Sequence, residues 1–400
     1  MLDKKSFKIA GDLFYTVMAT LVMNVILQII IYPIITHFYG DAVTGEILYF
    51  IGFIYIIPQA LGTALSNTRL VVRKTQDASN GDFTRVTLLF SLLSALVCGF
   101  LALPESNSIL FPVFYGLFSV LYLLRSYAQV EFRLTLKFKE YFLYYCIISL
   151  GYLLGLGLYA VTKVWLLIFV TGEAFALLYT LWKGSIFKKE AKKLAPAVIN
   201  KTITMIALSS LVRDCVIHFD KVILKQTINA SVVTQYHVVS LIAKTMQMLI
   251  QPMNTLIMSY LTVKDAVLSR KVLFKFVGIA FLLGGVFYGV CIVGTPIYIK
   301  LFYPSLYREI MQYNYIVNLG LILGFLASLF MAVMLSQGKT RLHTVIECIW
   351  GACYIAVAYY FSSLHGIWGL AYVTLAMNII KNLVVLVCLF LSLKPAQASS

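Results

Sequence analysis

VTQYHVVSLIAKTMQMLIQPMNTL, residues 233–256, is a stretch of membrane-spanning length that is not apolar all the way round. Placed on a helix, His237, Ser240, Lys244, Gln247, Gln251 and Asn254 recur at steps of three and four and stack into one polar stripe. Lys244 lies near its middle. An ammonium at bilayer depth costs roughly 2.5–3.5 kcal/mol on insertion scales, so such a residue faces a bundle interior or a wet cavity rather than lipid. The stripe is expected to line a pathway.

The surrounding chain is of the same kind. Of its 400 residues 61% are hydrophobic and 12% charged, with a mean hydropathy of +0.89, outside the range of ordinary soluble domains. The formal charge of +16 comes in short clusters between apolar runs, the pattern of cytoplasmic loops and not of a nucleic-acid surface. The seven cysteines fall inside apolar segments without a C-x-x-C pair, so neither a disulfide framework nor a zinc site is indicated. Lys4, Lys5 and Lys8 precede an apolar run extending to about Thr36, too long for a signal peptide, and the N-terminus reads as an uncleaved first helix.

Apolar runs set against breakers predict twelve membrane helices, near 12–36, 45–66, 86–103, 110–130, 141–161 and 164–183, then 203–224, 233–257, 272–294, 311–335, 342–361 and 366–392. Alternate loops carry the Lys and Arg residues, and the opposite loops hold little beyond Lys163, Lys225, Lys300 and Arg308. The positive-inside rule therefore places both termini in the cytoplasm. The basic stretch 183–201 is the longest candidate linker and divides the chain into residues 1–190 and 191–400. The halves correspond in turn, basic and aromatic positions: YPIITHFYGDAVTGEILYF beside VILKQTINASVVTQYHVVS, and VEFRLTLKFKEYFLYYCII beside VMLSQGKTRLHTVIECIWG. The expected fold is all-α and integral to the membrane, with two six-helix bundles related by a parallel internal repeat and a substrate site at the repeat interface.

These junctions, with the SQGKTRLHT loop and the LHGIWGLAYVTLAMNIIKNL segment, resemble the polysaccharide-flippase (Wzx-type) branch of the multidrug/oligosaccharidyl-lipid/polysaccharide exporter superfamily. The resemblance covers essentially the whole chain. It implies a MATE-like pair of bundles in a V shape, a cavity lined mainly by helices one, two, seven and eight, and alternating access. The cargo it implies is an undecaprenyl-pyrophosphate-linked oligosaccharide, flipped across a bacterial cytoplasmic membrane for O-antigen, capsule or exopolysaccharide. A polysaccharide polymerase and a chain-length regulator would be partners, the flippase itself a monomer without cofactors. Related lipid II flippases usually have fourteen helices, a departure that counts against peptidoglycan precursor as cargo.

Ionisable residues inside spans are functional candidates in their own right. Arg213 lies on the order of 15 Å deep in helix seven, and Asp214, His218 and Lys221 share a face there, with Asp220 adjacent. Arg213, Lys244 and Lys381, the last flanked by Asn378 and Asn382, are expected to offset phosphate charge. Asn24, Gln28, His237, Gln247 and Gln251 are expected to face glycan or water. Alternatively, Arg213 and Lys244 neutralise Asp214 or Asp220, and the Thr16, Thr20, Asn24 and Gln28 stripe makes interhelical hydrogen bonds. Asp214, His218, Asp220 and Glu173 are candidates for a coupling ion, as is Glu347. Arg125 is expected to snorkel toward the interface near Glu131. Pro58 with Gln59, and Gln251 with Pro252, suggest kinks, and Gly151, Gly155 and Gly157 a close-packing face.

No enzyme is indicated. The GKT at 338–340 joins two membrane helices instead of following a strand, and lacks the upstream glycine of a phosphate-binding loop. Two rivals stand beside the flippase: a drug/cation antiporter of the same superfamily, which would want carboxylates on the cation's path, and a membrane-embedded polysaccharide-assembly transferase, which would want acidic or histidine clusters near one face.

Overall fold

The computed structural model describes residues 2–73, 78–106, 108–194, 196–247, 270–337 and 339–392. Gln251, Pro252 and Asn254 lie outside the described residues. Ten described helices are long and apolar enough to cross a membrane. The last, α14 (Thr340–Ser392), is broken at Gly366, and α10 (Ala230–Gln247) is a further helix of 18 residues. Counting both arms of α14 and adding α10 brings ten to twelve, in keeping with the sequence pattern. Gly366 carries φ 61 and ψ −138, a combination essentially reserved for glycine because any Cβ would strike the backbone. That break converts one 53-residue helix into two passes of bilayer length.

Contacts divide the chain into two compact units, Met1–Tyr39 with Ile47–His218, and Gly40–Glu46 with Phe219–Ser400. The seam falls inside α9 (Pro196–Thr227), beyond the 190/191 division expected from sequence. The reason is packing: Ile199, Ile203 and Ala207 of α9 are buried in the core of the first unit with Leu61, Leu65, Phe83 and Leu123. Asp41 belongs with the second unit because its carbonyl accepts from Thr234 Oγ1 (2.7 Å) and its carboxylate from Ser231 Oγ.

In the first unit, α1 (Leu2–Val25) runs through a π-helical turn, Ile26–Ile31, into α2 (Tyr32–Tyr39). Pro33 explains the turn: it has no N–H for the carbonyl four residues back, and its ring crowds that position, so the ladder widens before it. α3 (Asp41–Arg73) passes through Pro58 without a break, Gln59 Nε2 donating to Thr63 Oγ1 at 3.2 Å. Next come α4 (Asn80–Ala102), α5 (Leu110–Ala128), the short α6 (Val130–Thr135), α7 (Phe138–Thr162) and α8 (Leu166–Lys183). α7 and α8 approach closely at Gly151 and Gly155, where a Cβ would meet Gly172 and Ile168, whereas Gly157 faces open space. The expected glycine face is therefore two residues, not three.

The second unit contains the end of α9, α10, α11 (Arg270–Phe302), α12 (Tyr307–Ile310), α13 (Asn314–Ser336) and α14. Its core gathers Leu273, Phe325, Phe330, Val385 and Leu389. On α11, Leu282, Val286, Val290, Val293, Ile297 and Leu301 are exposed at steps of three and four. On α4 of the first unit, Leu88, Leu92, Leu96 and Phe100 form a similar stripe. Such continuous apolar faces are stable only against hydrocarbon.

The basic linker is not a bare tether. Asp82 Oδ1 accepts the N–H groups of Lys193 (2.8 Å) and Leu194 (3.0 Å), while Oδ2 accepts Ser79 N–H at 2.9 Å. Asn80 donates to the carbonyls of Ser185 and Lys188, and its N–H bonds the Glu190 carboxylate at 2.7 Å. From α6, Glu131 accepts the N–H groups of Ser185 (2.6 Å) and Ile186 (3.2 Å). These bonds satisfy backbone groups that helix ends leave open and bind residues 185–194 to the first unit.

Candidate functional site

α9 and α10 are joined by the two-residue turn Ile228–Asn229, where Ile228 N–H closes on Leu224 and Asn229 Oδ1 caps the N–H of Val232 at 3.1 Å. So short a turn makes the helices antiparallel neighbours. Counted from Asn229 at 1.5 Å per residue, Asp220 lies about 14 Å along α9 and Lys244 about 22 Å along α10. Helical side chains lean toward their own N-terminus, so Asp220 leans away from the turn and Lys244 toward it. They meet in an ion pair and hydrogen bond. The Lys244 ammonium also sits 5.3 Å from the Tyr236 ring centroid.

Lys221 follows Asp220, its N–H bonded to Oδ1 at 2.9 Å, and its side chain is 6% exposed. His237 is buried about two turns before Lys244 on α10. Asp220 thus takes the Lys244 ammonium on one carboxylate oxygen and the Lys221 backbone N–H on the other. Ser240 is buried and donates to the His237 carbonyl, and Gln247 gives its amide to the Leu321 carbonyl of α13 at 3.0 Å. The stripe of α10 is thus mostly turned into the second unit, with Lys244 its most accessible cation at 22% side-chain exposure.

Lys381 on the second arm of α14 donates to both carboxylate oxygens of Glu347 on the first arm, at 3.0 and 2.9 Å, and lies 4.1 Å from the Trp350 ring centroid. Its neighbours Asn378 and Asn382 bond the Gly320 and Leu323 carbonyls of α13. Amides buried where water cannot reach stabilise helix contacts only when paired in this way.

In the first unit, Arg213 pairs with Asp214 at 2.9 Å, its side chain 47% exposed. His218 lies 5.1 Å from Tyr55, ring to ring. Asn24 donates to the Thr20 carbonyl, and Thr16 and Thr20 donate to the Asp12 and Val17 carbonyls of the same helix. Gln28 is half-buried within the π turn.

Arg125 corrects the expectation of snorkelling. Its side chain is 5% exposed and its Nε lies 2.7 Å from Glu173 Oε2, while Tyr152 donates to Oε1 at 2.7 Å. The guanidinium lies over the Tyr122 ring, 4.3 Å from its centroid. Sequence reasoning missed this pairing because the partners lie on α5 and α8, and no short-range spacing links them. The only signal was that both were ionisable and deep.

Glu173, Asp214, Asp220 and Glu347 each have a basic partner, so Arg125, Arg213, Lys244 and Lys381 are all matched by carboxylates. Among the described residues no group of three or more His, Cys, Asp or Glu side chains could hold a metal ion.

No protein-family model matches the chain, and no curated protein matches it. Solved structures do. The lipid II flippase MurJ in an inward closed conformation superposes with a TM-score of 0.72 at 13% identity, over 94% of this chain and 87% of that one. A multidrug resistance MATE family transporter of the MOP superfamily, inward-facing, gives 0.65 at 13% identity over 94% of both chains. The outward-facing conformation of such a transporter gives 0.63 at 13%, over 97% of this chain and 94% of that one. The chain thus has the all-helical membrane fold of the MATE and MurJ transporters.

Proposed function

We propose that this chain is a flippase that moves an undecaprenyl-pyrophosphate-linked oligosaccharide across a bacterial cytoplasmic membrane by alternating access, without ATP, for O-antigen, capsule or exopolysaccharide synthesis. The observation that carries the reading is Lys244, a deep ammonium that pairs with Asp220 and still keeps 22% of its side chain exposed. An ammonium still partly open beside its carboxylate suits a pyrophosphate taken out of water, where each charge needs a partner. Lys244 is the residue assigned to the phosphate, with Arg213 and Lys381 as further partners once they leave their carboxylates. Asn24, Gln28, Gln247 and Gln251 belong to the glycan path in this reading, and both termini to the cytoplasm. Glu173, Asp214, Asp220 and His218 are the groups through which an ion could be coupled.

Both cargo classes named for the similar structures, lipid II and multiple drugs, use this fold. Against a drug-cation antiporter stands the pairing of Glu173, Asp214, Asp220 and Glu347, each already matched by a basic residue. The test is translocation of a labelled undecaprenyl-pyrophosphate oligosaccharide in proteoliposomes. Protein-dependent flipping supports the reading; its absence, with uptake of a drug cation by the same vesicles, replaces it with the antiporter.

A further inference from the structure

The second unit holds a polar cavity of about 330 Å³ at the α9–α10 turn, the small end of ligand pockets, which run roughly 300–1,000 Å³. Its walls include Asn229, Ser231, Gln235, Glu309, Tyr313 and His365, drawn from the turn, α10, the α12 region and the Gly366 break. No Lys or Arg lines it.

Gln235 is the informative residue. It is 6% exposed and lines the cavity, and its side-chain amide has no hydrogen-bond partner among the described residues. The amide is open only toward the cavity, so its hydrogen bonds are available to a ligand seated there. Around it the chemistry is mixed: a carboxylate that accepts (Glu309), an imidazole and a phenol that do both, and an Asn229 nitrogen left to donate once its Oδ1 has capped Val232. Tyr313 presents a ring held edge-on by Trp368, 4.9 Å between centroids, and Trp368 is stacked on Tyr372 at 5.6 Å.

Charge and geometry narrow the ligand. With no basic residue in the wall, a phosphate or carboxylate has no counter-charge there. With one carboxylate and one histidine, a divalent cation lacks ligands. A neutral ligand dense in hydroxyls, with an apolar C–H face to lay on an aromatic ring, uses every group present. We infer that this cavity binds a neutral sugar ring, and that the ring belongs to the glycan of the transported lipid, held at the α9–α10 turn of the second unit.

The sugar chemistry stands on the cavity alone; the assignment to cargo rests on the flippase reading. Saturation-transfer NMR on the full chain in nanodiscs, with free glucose, galactose, N-acetylglucosamine and rhamnose as probes, tests the first. At least one sugar should receive transfer, weakened about tenfold in affinity by Gln235→Leu through loss of its hydrogen bonds. Glu309→Gln, at an exposed position that leaves folding intact, should weaken it as well. No transfer from any of the four, or transfer that survives both substitutions, overturns the site. Proteoliposome flipping by the same two variants tests the second: slowed flipping supports the assignment, whereas lost sugar binding with unchanged flipping overturns it. A wild-type chain that binds sugar through Gln235 yet flips no lipid-linked glycan would defeat the proposed function and leave the sugar site standing.

Discussion

Lys244 of α10 closes on the carboxylate of Asp220 on α9, whose other oxygen takes the backbone N–H of Lys221. The pair joins the one cation of the polar stripe to the neighbouring helix. It also makes Lys244 a test of two roles, neutralising Asp220 and meeting a phosphate, which substitutions separate.

Lys244→Glu places two carboxylates together and should abolish flipping while the protein still reaches the membrane. The charge-swapped double variant Asp220→Lys with Lys244→Asp restores a pair at the same place. A protein level equal to the parent's with no recovery of flipping, read by immunoblot and by proteoliposome assay, is the expected outcome. Full complementation of a flippase-deficient strain by Lys244→Glu would sink the phosphate role.

Arg125 and Glu173 are both buried and joined at 2.7 Å. Removing one partner leaves an uncompensated charge, which costs about 3–5 kcal/mol. Arg125→Met or Glu173→Leu alone should therefore unfold the detergent-solubilised protein at a markedly lower temperature. The double substitution should be less harmful than the sum of the two, and a thermal-denaturation double-mutant cycle measures the difference.

Asp82 accepts the N–H groups of Ser79, Lys193 and Leu194. Asp82→Ala strands those donors and should free the lysine-rich segment 188–193. Limited trypsin digestion is expected to cut the variant there several-fold faster than the parent, by roughly the factor that a loss of 1–2 kcal/mol in local opening gives. Equal cutting rates would mean that Asn80 and Glu131 hold the linker without it.

Gly366 occupies a backbone conformation that side chains exclude. Gly366→Ala should cost about 1–3 kcal/mol, seen as a lower melting temperature and a poorer yield. The same change at Gly157, with open space around its Cβ position, should be nearly silent.

Much of the architecture was legible in the chain. Hydrophobic run length determined the membrane spans, because a bilayer of about 30 Å admits only helices with every backbone group internally bonded. Breakers and basic clusters located the loops, and the stripe through His237, Ser240 and Lys244 was visible because helical periodicity is local. Three-dimensional pairing was not local, and only the tertiary structure decided it. Arg125 with Glu173, Lys381 with Glu347, and Lys244 with Asp220 instead of Asp214 each depend on which helix faces which, and on the lean of side chains toward their own N-termini. The docked linker and the unpartnered Gln235 amide follow for the same reason: hydrogen-bond satisfaction belongs to the packed chain, and residues far apart in sequence supply or withhold the partners.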